Sequence, residues 1–92
     1  MTIEELFEII KERKKNLPKD SYIASLFKNG EDRIIQKVGE ESIEVVIAAK
    51  NNNKKLLKGE IADLLFHLLV LLAAKNIKPE DIFMELENRR KK

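Results

Sequence analysis

The 92-residue sequence has no cysteine, so no disulfide framework holds it, and it suits a reducing compartment such as the cytoplasm. Glycine and proline are scarce, at three and two residues, while 37% of the chain is charged. That combination indicates helices joined by tight connections, and no β-type alternation persists over a useful length. Neither sign of charge predominates: 18 basic residues meet 16 acidic ones, for a formal charge of +2, which argues against a dedicated nucleic-acid partner. The opening Met1-Thr2-Ile3-Glu4-Glu5 is acidic and leads into no leader-type apolar run, so no secretory signal is expected. The most apolar stretch, Ile61–Ala74, falls short of the roughly 18–20 residues a membrane span needs. Internal repeats and linkers are also missing. An apolar content of 43% predicts one domain over residues 1–92, with a modest core burying roughly 60–65% of the unfolded surface.

The apolar spacing reads as an all-α fold, a bundle of four to five helices. Ile3, Leu6, Phe7 and Ile10 predict a helix over 2–15, ended by Asn16-Leu17-Pro18 because proline disfavours a helical residue before it. Asp20 or Ser21 is placed to cap a short helix reaching about Lys28, and Asn29-Gly30 is a turn. A third helix is expected over about 31–50, closed by Asn51-Asn52-Asn53, and a fourth over about 54–75. Pro79 opens a last helix with Ile82, Phe83 and Leu86 as its apolar face. Arg89-Arg90-Lys91-Lys92 reads as a solvated basic helix end.

Polar residues inside the apolar helices carry the chemistry. At about 100° per residue, Ile34, Val38, Val45 and Ala49 form a stripe on helix three, and Glu41 falls inside it with Glu44 beside it. On helix four the stripe is Leu57, Ile61, Leu64, Leu68 and Leu72, with Glu60, Asp63 and His67 along one neighbouring edge. If the two helices pack antiparallel through these faces, four carboxylates meet. They repel unless protonated or bridged by a cation, and all-oxygen ligation selects magnesium first and manganese next. The bland alternative pairs the acids with Lys37, Lys50 or Lys58 on a solvated edge. That suits Glu40, on the outer side of helix three, better than Glu41 or Asp63 with their apolar neighbours. His67, four residues after Asp63, is expected to hydrogen-bond an acid or a substrate rather than ligate metal. A di-iron bundle needs Glu-x-x-His on two helices, and the chain has one histidine, wrongly spaced from Glu60.

The segments KVGEESIEVVIAAKN (37–51) and GEIADLLFHLLVLLAA (59–74), with SYIASLFKNGEDRI (21–34), resemble the phosphoribosyl-ATP pyrophosphohydrolase family within the all-α MazG-type superfamily. The wider superfamily shares only the skeleton Glu40-Glu41-x-x-Glu44 and Glu60-x-x-Asp63. The resemblance implies hydrolysis of phosphoribosyl-ATP to phosphoribosyl-AMP and pyrophosphate, a step of histidine biosynthesis. It assigns Glu41, Glu44, Glu60 and Asp63 to a magnesium site. Glu40 either binds the metal through water or orients the attacking water, which places Glu40, Glu41 and Glu44 in the catalytic group. Lys28, Arg33, Lys37, Lys50, Asn51 and His67 are candidate substrate contacts. Ser21 and Tyr22 match the opening motif without a derived role. Some family members are fused behind a cyclohydrolase domain; the length here leaves no room for one, so a separate cyclohydrolase protein is expected for the next step.

Two rival readings remain at this level. One is a house-cleaning MazG-type hydrolase of non-canonical or deoxyribonucleoside triphosphates, which a substrate panel separates. The other is a non-catalytic helical assembly module, which would bind no magnesium. Helix four is apolar nearly all round, more than one short chain can cover. A homodimer with helix four at its centre is therefore expected, with Phe66 or Leu69 at the contact.

Overall fold

A computed structural model describes residues 1–90. The chain forms α1 (Ile3–Asn16), α2 (Tyr22–Asn29), α3 (Glu31–Lys50), α4 (Lys54–Ala74) and α5 (Pro79–Arg90), with no strand among the described residues. The all-α expectation holds, and the helix boundaries fall within a residue or so of those read from spacing. No helix among these residues is long and apolar enough to cross a membrane. Of the expected basic end, Lys91 and Lys92 lie outside the described residues. Arg89 and Arg90 are exposed and pair with Glu85 at 3.1 Å and Glu87 at 2.9 Å.

Local chemistry explains where the helices start and stop. Oxygens of Thr2, Ser21 and Asn53 accept from the Glu5, Ala24 and Leu56 amides at 3.1, 3.1 and 3.0 Å, which satisfies N–H groups the helices cannot. Ser21, not Asp20, therefore caps α2. Leu17 closes α1 in the left-handed region at φ 47°, just before Pro18. Gly30 at φ 98° ends α2 and starts α3; a residue with a Cβ would be strained there, and this single turn sets the α2–α3 angle.

The core is built where four helices meet: Phe7 and Ile10 of α1, Leu26 of α2, Ile34 of α3, and Leu69, Val70 and Ala73 of α4. Lys14 of α1 donates to the Ala73 carbonyl at 2.8 Å and the Asn76 side chain at 3.2 Å, tying α1 to the C-terminal end of α4, where the Asn76 amide also donates to Ala73 at 3.3 Å. Helices α3 and α4 pair most extensively, and the short Asn51–Asn53 connection makes them antiparallel.

The inward faces differ from the expected stripes. On α3 the buried alanine is Ala48, while Ala49 is exposed. On α4 the buried residues are His67, Leu69, Val70 and Ala73; Ile61 and Leu68 of the expected stripe stand exposed at 48% and 38%. Helix α4 is apolar on nearly every side, so spacing alone cannot choose among its faces. Which side turns inward depends on where α1 docks. Leu69 and Phe66, expected at a subunit contact, pack inside: Leu69 is in the core and Phe66 lies against it. Helix α5 leaves much of its apolar face open in this chain, with Ile82, Phe83 and Leu86 all exposed.

Candidate functional site

The antiparallel α3–α4 hairpin carries the acids at mid-height. The inward register of α3 runs Ile34, Val38, Glu41, Val45, Ala48, a spacing of three and four residues, so Glu41 occupies a core position. Its side chain is only 14% exposed. Opposite, Glu60 and Asp63 project from α4, and one carboxylate oxygen each from Glu41, Glu60 and Asp63 lies within 4.8 Å of the others. Two oxygens across a magnesium ion stand about 4.2 Å apart, twice the roughly 2.1 Å bond, so small side-chain rotations would bring these donors to bonding distance. The oxygen-only donor set fits a hard cation of that size.

Glu44 is exposed and outside this tight group, yet close enough to act on it. Partial burial, then the carboxylates of Glu44, Asp63 and Glu41, push the Glu60 pKa above the ordinary glutamate range. A carboxylate that resists ionisation because of its neighbours marks unbalanced negative charge. Asp63 is exposed, not enclosed by the apolar neighbours the sequence suggested. Beside Glu60 and Asp63 opens a cleft of about 380 Å³ lined by Asn53, Lys55, Leu56 and Gly59. Sequence reasoning overlooked Lys55, which lines the same cleft one to two turns before Glu60 and Asp63 on α4.

Glu40 lies on the outer side of α3, as expected, but is well held. Gln36 donates to its Oε2 at 3.1 Å, while Lys37 and Arg33 approach Oε1 at 3.6 and 3.9 Å. Lys37 also stands 3.5 Å from Glu41. Burial opposes its ammonium charge, but the Tyr22 oxygen and the Glu41 and Glu40 carboxylates outweigh that, and its pKa stands above the ordinary lysine value. Of the basic candidates, Lys37 and Arg33 therefore come to the acids. Lys50 ends α3, roughly 13 Å from Glu41 along the helix axis, and Lys28, on α2, makes no ion pair with these acids among the described residues. Asn51 is exposed beside Lys50, its backbone N–H donating to the Ile47 carbonyl at 3.1 Å.

His67 is not placed to touch a substrate. It is 4% exposed, its Nδ1 lies 2.7 Å from the Asp63 backbone carbonyl, and its Nε2 lies 2.9 Å from the Tyr22 hydroxyl. A carbonyl only accepts, so Nδ1 carries the proton, and in the neutral ring Nε2 accepts from Tyr22. The expected hydrogen bond to an acid exists, but to its main chain rather than its carboxylate. The role of Tyr22 was not derivable from spacing; its place in the SYIASLF segment was the one available signal.

The sequence profile described as phosphoribosyl-ATP pyrophosphohydrolase matches residues 3–90. A phosphoribosyl-ATP pyrophosphatase of Pelotomaculum thermopropionicum is 52% identical over 90 residues, covering 98% of this chain and 92% of the relative. Relatives of the same name from Clostridium novyi and Bacillus mycoides are 50% and 51% identical, covering 98% and 91% of this chain and 82% and 78% of theirs. Identity at this level over nearly the full length, together with the acids gathered between α3 and α4, shows that the chain belongs to the phosphoribosyl-ATP pyrophosphohydrolase family.

Proposed function

We propose that this chain is the hydrolase that converts phosphoribosyl-ATP and water to phosphoribosyl-AMP and pyrophosphate, a step of histidine biosynthesis in the cytoplasm, at the acids between α3 and α4. The observation that carries the reading is the convergence of Glu41, Glu60 and Asp63 to within 4.8 Å in a member of this family. Glu41, Glu60 and Asp63 would hold a magnesium or manganese ion, and Glu44, one turn from Glu41, can swing in as a fourth ligand. Bound there, such an ion neutralises charge on the triphosphate oxygens and templates the displacement. Glu40, steadied by Gln36, Lys37 and Arg33, accepts a hydrogen bond from the attacking water. It takes the proton as the bond between the α- and β-phosphates breaks and pyrophosphate departs. Lys55 offers charge to the phosphates at the cleft and Arg33 beside Glu40; Lys28, Lys50 and Asn51 would reach only an extended part of the substrate.

The active unit of this reading is a homodimer. Ile43, Val46 and Ile47 lie on the side of α3 roughly opposite Glu41, Val45 and Ala48, and all three are at least half exposed. Ile61, Leu65 and Leu68 of α4 and Ile82, Phe83 and Leu86 of α5 are open as well. Several exposed apolar stripes on one small chain are more than a soluble monomer ordinarily shows, and a two-fold partner is the commonest cover.

Pyrophosphate release measured on phosphoribosyl-ATP, ATP, dCTP and dUTP under equal magnesium tests the substrate. Phosphoribosyl-ATP is expected to be hydrolysed far faster. Equal or better rates on a deoxynucleotide would move the chain to the house-cleaning class.

A further inference from the structure

Tyr22 is half exposed yet held in place. Its relative exposure is 52%, but its hydroxyl is bonded to the buried His67 at 2.9 Å. One side of its ring meets Phe66, with centroids 6.1 Å apart and planes 26° from parallel, and Phe66 is itself packed against the core. Because the hydroxyl is spent on His67, what Tyr22 offers outward is the rest of its ring. That ring opens onto a cleft of about 730 Å³, walled by Phe66, Ile23, the end of α1 and the connection from Pro18 to Ser21.

The cleft adjoins the acids along α4. At about 100° per residue, Lys55, Gly59 and Phe66 lie within about 40° of one another around that helix. Lys55 and Gly59 line the cleft of Glu60 and Asp63, and Phe66 lines the larger one. Asp63 stands between them, about 4–5 Å along the axis from Phe66. The two clefts therefore follow each other along one edge of α4, with the acids at their junction. Ile61, Leu65 and Leu68 lie on the opposite side of the helix, so a partner chain that covers them leaves this edge of α4 open.

The clefts differ in chemistry. The larger has walls of balanced charge, Arg13 and Lys19 against Glu12 and Asp20. Of these, Glu12 is already paired with Arg13 and accepts from Asn16 at 2.8 Å. Donors and acceptors in balance beside an aromatic face suit a base and its sugar hydroxyls better than a triphosphate. The smaller cleft carries Lys55, a cation suited to phosphate. Phosphoribosyl-ATP divides in the same way. Pyrophosphate lies on one side of the bond that breaks, and a purine carrying two sugar phosphates on the other.

Resting on the reading that phosphoribosyl-ATP is cleaved at these acids, we propose that the Tyr22 cleft is the subsite for the purine of the substrate. The base stacks on the open side of the Tyr22 ring, and the pyrophosphate half lies in the Lys55 cleft. Tyr22 is then a substrate-binding residue through its face, while His67 and Phe66 hold that face ready. Stacking on an aromatic side chain is sequence-tolerant and ordinarily changes affinity by roughly tenfold per base.

Tyr22 is the chain's one tyrosine, and there is no tryptophan, so intrinsic fluorescence reports on this ring alone. The test titrates wild-type protein with phosphoribosyl-AMP and, separately, with pyrophosphate under equal magnesium. Phosphoribosyl-AMP is expected to quench the Tyr22 emission and pyrophosphate to leave it unchanged. Calorimetry with phosphoribosyl-AMP and steady-state kinetics on phosphoribosyl-ATP then compare Tyr22→Phe with Tyr22→Leu. Both variants take the same hydroxyl from His67, so the difference between them reads the aromatic face. Tyr22→Phe is expected to stay close to wild type, and Tyr22→Leu to bind phosphoribosyl-AMP roughly tenfold more weakly with a matching rise in KM. Phosphoribosyl-AMP that binds by calorimetry without quenching Tyr22 would overturn the proposal. So would a Tyr22→Phe variant as weak as Tyr22→Leu, or a Tyr22→Leu variant that melts lower but binds normally, since either makes the role structural. Wild-type protein that hydrolyses no phosphoribosyl-ATP would overturn the function reading, and the purine subsite with it; intact hydrolysis without quenching would overturn the subsite alone.

Discussion

Glu41→Gln separates the cost of a site from its use. In the absence of metal, the substitution removes the attraction between Glu41 and Lys37 at 3.5 Å. An exposed pair is worth about 1 kcal/mol or less and an enclosed one more, but Lys37 keeps its second partner, Glu40, at 3.6 Å, and glutamine still offers it an oxygen. The same substitution relieves repulsion from Glu60 and Asp63, whose carboxylate oxygens lie within 4.8 Å. The two effects oppose, so metal-free stability should change by less than about 1 kcal/mol. That is a melting shift smaller than about 4–8 °C for a chain of this size. With metal the balance is one-sided. A ligand at a hundred times its dissociation constant stabilises the folded state by about 2.7 kcal/mol, or roughly 10–20 °C by the same conversion. Glu41→Gln should lose most of that gain, and pyrophosphate release with it, while its helical circular dichroism stays intact. Thermal scans with and without magnesium on both proteins supply the readout. A mutant that retains the full magnesium-induced shift and near-normal turnover would refute the placement of Glu41 in the metal site.

Glu60 supplies a pH test with a definite sign. Its pKa is raised in the folded chain by partial burial, then by Glu44, Asp63 and Glu41. Its contribution is therefore fully present below the unfolded glutamate value and lost as pH rises through the raised folded one. Metal-free wild-type protein should lose stability relative to Glu60→Gln across that acidic window in urea titrations, and a parallel pH profile for the two proteins would contradict the shift. Val46→Glu probes assembly. Val46 is 60% exposed within one chain, so the substitution costs a lone monomer little, but it should dissociate or aggregate a dimer that buries this face. An unchanged dimer by light scattering would show that the interface lies elsewhere.

Much of the fold is determined by local chemistry and is therefore legible in the sequence itself. Pro18, Gly30, the Asn51–Asn53 turn and Pro79 mark the helix limits through backbone constraints that act within a few residues. The acids are legible for a related reason. Glu41 interrupts an apolar register on α3, and the Glu60/Asp63 spacing puts two carboxylates on one side of α4, facts of helical periodicity that need no partner. Tertiary packing alone decided the rest. It chose which side of the evenly apolar α4 turns inward, seating Leu69 and Val70 in the core and leaving Ile61 and Leu68 open, because α1 docks on one side only. It left Lys28, on α2, out of the ion pairs that Lys37 and Arg33 make with Glu40 and Glu41 along α3. It also joined Tyr22 to His67, 45 residues apart in sequence. Periodicity ranks residues around one helix axis, but it holds no information about the angle at which a second helix approaches.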